Sequence, residues 1–429
     1  MFLREFKNKD SLVFDIFKIR ETAFPNFFVK KIYKTLDLEE KFDIKIKNFP
    51  FCLLPNGKDH IFFEKEFQGI KNKKCRNCRY DKKCRGLDKR LLVVWGQEAL
   101  KPLKDLPEEV MIEVESRCNL DCKFCYNKNS FAKKERIDNL DSDYIKKIIN
   151  NICKSGIKIV RFTGGEPLLR KDILSLMSYA KNRGLEVRLN TNSLLINKDN
   201  AKKIADTVDN VLIPLEATSD KEEAEITGEL DSFSRKIKAI RLLKKHKTKI
   251  VRAGTVATKK NIKDLEKFFK LVLDLKLDDW EVYRPIPTKD NKEFWSKKDV
   301  KILTDKLIKF REISGKTFFI ANSVPFCSYD KNKVNSVSSG ALPEDGHIRF
   351  AIDPRGFAKP HYYFNKNIGN PLDLMSCWNN QFMKKIRNLE FIPKKCKNCS
   401  FLEKCRSGSR YIAKVTNGIY KSKDPLMAV

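Results

Sequence analysis

The sequence predicts an α/β fold built on parallel strands, and three observations carry that expectation. Between about residues 111 and 290 one pattern recurs: a short β-branched run, a turn, then a longer amphipathic stretch. The segments on either side lack this repeat, and they hold nearly all the cysteines found outside one compact loop. The strand patterns fall at 111–115, 157–163, 186–190, 211–216, 250–256 and 280–284. Helical patterns fall at 142–154, 171–183, 199–207, 231–245 and 262–275, the second followed by Gly184 where a C-cap is wanted. Alternation of this kind demands right-handed crossovers between parallel strands, as in a doubly wound sheet or a full or partial barrel. Chemistry then belongs at the C-terminal ends of the strands.

At 429 residues the chain exceeds what one core usually organises. Three domains are expected: 1–105, 106–300 and 301–429. A hydrophobic content of 41% suits a folded globular chain despite 34% charged residues. No run of roughly 18 apolar residues occurs and the first residues carry no long apolar core, so a soluble cytoplasmic protein without a membrane partner is expected. Thirteen cysteines in a reducing compartment point to metal or redox work rather than disulfides. The net charge of +32 suits a polyanionic partner such as nucleic acid, and the lysine drift of an AT-rich genome is the favoured explanation of it.

Directly after the first strand pattern comes Cys118-Asn119-Leu120-Asp121-Cys122-Lys123-Phe124-Cys125-Tyr126, a C-x3-C-x2-C spacing. A cubane cluster has four irons, so three thiolates hold three and leave the fourth open to a small molecule. A zinc knuckle would want a fourth Cys or His nearby, and none follows. After the second strand pattern stands Thr163-Gly164-Gly165-Glu166-Pro167, where glycines let backbone approach a ligand and Glu166 offers an acceptor to a cation.

Together these elements resemble the radical S-adenosylmethionine (SAM) superfamily, whose cluster loop reads C-x3-C-x-aromatic-C. The resemblance implies a partial (β/α)6 TIM-like barrel and a 4Fe-4S cluster on Cys118, Cys122 and Cys125. It implies that the methionine headgroup of SAM chelates the open iron, that Phe124 and the Tyr126 backbone lie by the adenine, and that Gly164 to Pro167 bind the methionine amino group. Asn192 after the third strand and Glu216 at the end of the fourth stand where the family reaches the ribose or carboxylate; Pro214 and Glu216 replace the more usual Ser and Asp. Arg252 is either a cofactor contact or a solvated residue.

A repeat lies outside the barrel. Pro50-Phe51-Cys52 precedes Cys75, Cys78 and Cys84; Pro325-Phe326-Cys327 precedes Cys396, Cys399 and Cys405, with the same C-x2-C-x5-C spacing. Each set offers four thiolates, enough to close a cubane completely, and enough also for structural zinc. From 71 to 90 there are ten Lys or Arg against two Asp, a charge that would offset an anionic cluster and that a solvated basic face explains equally well. Cys153 and Cys377 are expected as small buried hydrophobes.

The later set, with Asp353-Pro354-Arg355-Gly356 and Trp378 ahead of it, resembles the C-terminal extension known as the SPASM or twitch domain. His361 and Ser409 stand where that pattern has cysteines, and no cysteine follows Cys405, so one auxiliary cluster is the economical expectation. Cys327 is its fourth ligand by the repeat, with His361 as the alternative.

The resemblance implies reductive cleavage of SAM to a 5′-deoxyadenosyl radical that abstracts hydrogen, fed by a reductant such as ferredoxin or flavodoxin. Relatives with such extensions modify peptides or proteins or build cofactors. The competing expectations are an RNA-modifying enzyme, and an iron–sulfur or zinc protein that binds nucleic acid without using SAM.

Overall fold

The computed structural model describes residues 11–15, 43–53, 61–78, 80–81, 83–96, 99–100, 105–129, 139–288, 293–344 and 346–427. The chain divides into two compact units, 1–105 and 106–429. Among the described residues no helix is long and apolar enough to cross a membrane.

In the first unit the strands Ser11–Asp15 (β1), Asp43–Lys47 (β2) and Ile61–Phe62 (β3) form a small parallel sheet in the order β1-β2-β3. Its core gathers Ile46, Phe49, Leu87, Leu91 and Leu100 around the buried Cys75. A helix over Lys89–Trp95 is capped by Asp88, whose carboxylate accepts from the Arg90 N–H.

Among the described residues the second unit has nine strands. Six follow the expected pattern: Glu109–Glu115 (β4), Ile159–Gly164 (β5), Glu186–Asn190 (β6), Asn210–Pro214 (β7), Ile250–Val256 (β8) and Asp279–Tyr283 (β9). Three more come from the C-terminal segment: Phe318–Ile320 (β10), Arg349–Ile352 (β11) and Ala358–Lys359 (β12). The order is β10-β9-β8-β7-β6-β5-β4-β11-β12, with every neighbouring pair parallel except β11 and β12. The residues after 300 therefore extend both edges of the barrel sheet, and the chain between β10 and β11 crosses from one edge to the other.

Helices close each crossover: Ser142–Ser155, Ile173–Lys181, Ala201–Thr207, Ser232–Lys245 and Leu265–Asp274. A further helix over Asp220–Thr227, capped by Ser219, was not among the sequence patterns. Alternation sorts the strand residues into two faces. Val160, Phe162, Val187, Leu189, Val211, Ile213, Val251 and Val282 join the helices in the main core. The opposite face is polar where TIM barrels usually place branched apolar side chains. Glu109 of β4 is buried against Arg161, Arg188 and Arg349, and Arg252 pairs with Glu281 while donating to Asn210. Arg252 is thus neither solvated nor a cavity contact; it belongs to this buried ionic layer.

Candidate functional site

At the C-terminal ends of the strands the sheet and the crossing segment enclose a cavity of about 250 Å³. Cys118, Cys122 and Cys125 line it together with Phe124, Tyr126, Gly164, Gly165, Asn192 and Glu216. Of the residues picked out in the sequence, Glu166 and Pro167 stand behind this wall: Pro167 opens a short 3-10 turn and Glu166 caps it.

The three-cysteine loop is held on three sides. Gly165 and Glu166 donate their N–H groups to the carbonyls of Glu115 and Arg117, at 2.7 and 2.8 Å. Asp121 and Lys123 donate to the carbonyls of Thr227 and Ile226, at 2.8 and 3.1 Å. Asn192 donates from Nδ2 to Asn119 Oδ1 at 2.7 Å and reaches Cys118 Sγ at 3.8 Å. Close approach explains both glycines. A Cβ on Gly165 would lie 2.1 Å from the Arg117 carbonyl oxygen, and one on Gly164, whose φ is +145°, would lie 2.4 Å from that of Glu115. The loop and the Gly-Gly turn are one cradle.

Glu166 is wholly buried, and its carboxylate accepts from Thr191 Oγ1 and the Asn192 N–H at 2.7 Å and from the Leu168 N–H at 2.9 Å. Burial pushes its carboxyl up to about 7 against the pull of those donors. With three donors already on it, Glu166 ties the ends of β5 and β6 together.

Glu216 faces the cavity and accepts from the Val256 N–H at 2.8 Å. Burial, then the neighbouring Glu223, push its carboxyl up to about 8, with Lys236 opposing. Lys236 is fully buried, ion-pairs with Glu223 and also lines the cavity; Glu223 in turn accepts from the N–H groups of Glu216 and Ala217 at 3.0 and 2.7 Å. Sequence reasoning passed over Lys236. Its signal was a lysine on the apolar stripe of Phe233, Ile237 and Ile240 in an amphipathic helix. Burial, then the adjacent Cys125, raise the Cys122 thiol, so a metal must displace its proton to bind.

The far wall comes from β9 and the C-terminal segment: Tyr283, Arg284, Asn322, Glu344, Tyr362 and Tyr363. Tyr362 stacks on Tyr126 with ring centres 4.4 Å apart. Arg284 makes a bidentate pair with Asp424 at 2.9 and 3.0 Å, both side chains buried. These residues follow no motif and reach the cavity only through long-range strand pairing.

The two outer cysteine sets share one local construction. Cys52 and Cys327 each sit second in a 3-10 turn, over Phe51–Leu53 and Phe326–Ser328. Cys78 donates its N–H to the Cys75 carbonyl at 2.9 Å, and Cys399 to that of Cys396 at 3.1 Å. The phenylalanine before the lone cysteine donates its N–H to the last thiol of the run: Phe51 to Cys84, and Phe326 to Cys405 at 3.4 Å. That phenylalanine also packs on the aromatic two residues past the C-x2-C: Phe51 on Tyr80 at 4.8 Å, Phe326 on Phe401 at 6.0 Å. Cys52, Cys75, Cys78 and Cys84 together line a cavity of about 10 Å³. Cys405 adjoins Cys327 and accepts from the Ser407 and Gly408 N–H groups in a turn where Arg406 and Ser407 have φ of 46° and 68°. Such strain persists only where the surroundings enforce it.

His361 is fully buried on Tyr362 and Tyr363, its ring nitrogens without partners among the described residues. Its charged neighbours are Arg349, Glu109, Lys359 and Arg161, so the structure groups Cys327, not His361, with Cys405. Cys377 is buried and Cys153 half-buried against the main core. Among the described residues no three His, Cys, Asp or Glu side chains stand at the spacing of a single-ion metal site.

Comparison with known proteins defines the class. Residues 112–272 match the Radical SAM superfamily, so this stretch is a radical SAM domain. Among curated relatives, the AdoMet-dependent heme synthase of Oleidesulfovibrio alaskensis is 23% identical over 335 residues, 73% of this chain and 85% of that protein. The PqqA peptide cyclase of Bradyrhizobium diazoefficiens is 25% identical over 41% of this chain, and the match covers 46% of that protein, less than half its length. The fold is that of Streptococcus suis SuiB, with a TM-score of 0.62, 19% identity and 76% and 78% of the two chains covered.

Proposed function

We propose that the chain is a radical SAM enzyme that abstracts hydrogen from a peptide, a protein or a cofactor precursor. One observation carries this reading: three thiols and the Gly164–Gly165 cradle line a single cavity at the C-terminal ends of parallel strands. The donor set fits a 4Fe-4S cluster held at three corners by Cys118, Cys122 and Cys125. Bound there, cluster and SAM supply reductive C–S cleavage and a 5′-deoxyadenosyl radical.

The protein's own groups do the rest. The cradle and Asn192 fix the loop, Phe124 and Tyr126 give the cavity apolar walls, and Glu216 presents a carboxyl that holds its proton near neutrality. Lys236 supplies a buried ammonium with donors beyond its bond to Glu223. The Tyr126–Tyr362 stack and, from the crossing segment, Asn322 and Glu344 wall the cavity on its far side. Four thiols in each outer set are the number that a closed cubane takes, and a zinc ion takes the same number. Peptide and cofactor chemistry are both supported, by the cyclase and the heme synthase respectively.

Anaerobic reconstitution tests the reading. About twelve irons per chain are expected for three cubanes, with an EPR spectrum that shifts on adding SAM and with release of 5′-deoxyadenosine under reduction. A spectrum indifferent to SAM refutes it. The charge of +32 supports a second reading, an RNA substrate; it requires tRNA binding that weakens steeply with salt.

A further inference from the structure

The far wall of the cavity is committed to the fold, and its floor is not. In the wall, Arg284 is held by Asp424, which also accepts from the Ser409 N–H at 3.0 Å, four residues past Cys405. Glu344 accepts from the N–H and the hydroxyl of Ser323. On the floor, Asn190 ends β6 and Tyr283 ends β9, and both line the cavity half-buried. Asn190 stands two residues past Arg188 and Tyr283 two past Glu281, so each shares the polar face of its strand with the buried ionic layer.

That layer decides which way each group turns its hydrogens. Arg161 donates from Nη1 to Asn190 Oδ1 at 2.9 Å. A guanidinium has donors only, so the amide oxygen is used up below and Nδ2, without a partner among the described residues, is left to donate into the cavity. The Tyr283 hydroxyl donates to one oxygen of Glu281, whose other oxygen pairs with Arg252. Its own lone pairs are left to accept. Arg161 is a charged neighbour of Tyr283 as well, so one layer orients both groups. The guanidinium groups of Arg161, Arg188, Arg252 and Arg349 are matched there by the carboxylates of Glu109, Glu186, Asp279 and Glu281. The floor therefore offers a donor and an acceptor without net charge, and a carboxylate seated on it would lose hydration without gaining a counter-ion.

We propose that Asn190 and Tyr283 form a substrate subsite for an uncharged amide group, Asn190 donating to its carbonyl oxygen and Tyr283 accepting from its N–H. A peptide or protein segment carries that pair of groups, whereas a cofactor precursor recognised through its carboxylates does not. The subsite rests on the reading that this cavity is the active site, and it selects among the substrates named there. A site built to hydrogen-bond a particular group rejects an analogue that lacks it, because its own polar atoms are then left unpaired.

The test uses the full chain, reconstituted with iron and sulfide and supplied with SAM, and two probes followed by saturation-transfer NMR: N-acetylalanine N-methylamide and propionate. The amide should bind about tenfold more tightly than propionate. Asn190→Asp keeps an oxygen for Arg161 and removes the donor, and Tyr283→Phe removes the acceptor. Each should weaken the amide about tenfold while the EPR shift with SAM persists. Iron content and circular dichroism check each fold, and either variant decides the matter if the other is unstable. Propionate bound more tightly than the amide overturns the subsite in favour of an anionic precursor. Wild-type affinity for the amide in the variants overturns the assignment to these residues, and a SAM response lost in both gives the pair to SAM instead. A wild type that binds the amide but has a spectrum indifferent to SAM overturns the radical reading and leaves the amide subsite standing.

Discussion

Glu109 and Arg161 form a bidentate pair inside the barrel, Nε to Oε1 at 2.6 Å and Nη2 to Oε2 at 3.0 Å, with both side chains almost wholly buried. Arg188 and Arg349 reach the same carboxylate at 3.1 and 3.5 Å. These cations hold the Glu109 carboxyl far below the usual carboxylate range, overriding the burial that would raise it. Replacing Glu109 with Gln leaves three guanidinium groups around a neutral amide. A loss of about 3–5 kcal/mol is expected, the range for removing one partner of a buried pair, measured by urea unfolding at neutral pH. The sign of the pH effect follows from the lowered pKa. The stabilisation is present above about pH 4.3, the ordinary glutamate value, and declines as the pH falls toward the folded-state value, so Glu109→Gln should flatten the acid limb of the stability profile. An unaltered acid limb would show that the pair is not a net contributor.

Gly165 tests the cradle. A methyl group placed 2.1 Å from the Arg117 carbonyl must displace the cysteine loop or the turn after β5, since both neighbours are backbone. Overpacking of this kind usually costs about 1–3 kcal/mol. Gly165→Ala should therefore weaken SAM binding by about tenfold or more, taking 1.4 kcal/mol per decade, as read by titrating the EPR signal. Gly184, which a Cβ would leave in open space, is the control site for substitution, although its φ of +77° adds a local strain of its own.

The barrel strands were legible because short β-branched runs alternate with longer amphipathic stretches, and the cysteine loop because ligand spacing is a local property. The far cavity wall was not. β10, β11 and β12 have three, four and two residues, too short for periodicity to show. Glu344, Tyr362 and Tyr363 reach the cavity because β11 pairs with β4 across more than two hundred residues of chain. Lys236 is a different case, since a charged residue on an apolar stripe is a local anomaly that could have been read. Glu166 was legible as a site residue, but its engagement by Thr191 and Asn192 needed the third strand end in place.

Glu216 links the cavity to pH. Burial, then Glu223, push its carboxyl up to about 8, so the folded protein holds this proton more tightly than the unfolded chain does. Its contribution to stability is full below about pH 4.3 and is lost as the pH rises through about 8. Glu216→Gln mimics the protonated state. The metal-free variant should lose less stability than wild type between those limits, as followed by thermal unfolding at a series of pH values. Parallel profiles would mean that Lys236 keeps Glu216 ionised.

The paired construction of the outer cysteine sets makes a quantitative expectation. Cys84 and Cys405 occupy equivalent places, each the last thiol of its run and each accepting the N–H of the phenylalanine that precedes the lone cysteine. If the two sets take the same occupant, Cys84→Ser and Cys405→Ser should each remove about four irons from a total of about twelve, and the double variant about eight. The remaining four, on Cys118, Cys122 and Cys125, should still show the EPR shift with SAM, because the cradle of Gly164 and Gly165 involves neither outer set. Unequal iron losses from the two single variants would mean that equivalent folds around the thiols hold different metals. An abolished SAM response in Cys405→Ser alone would instead point to the Asp424–Arg284 pair as the connection between that set and the cavity wall.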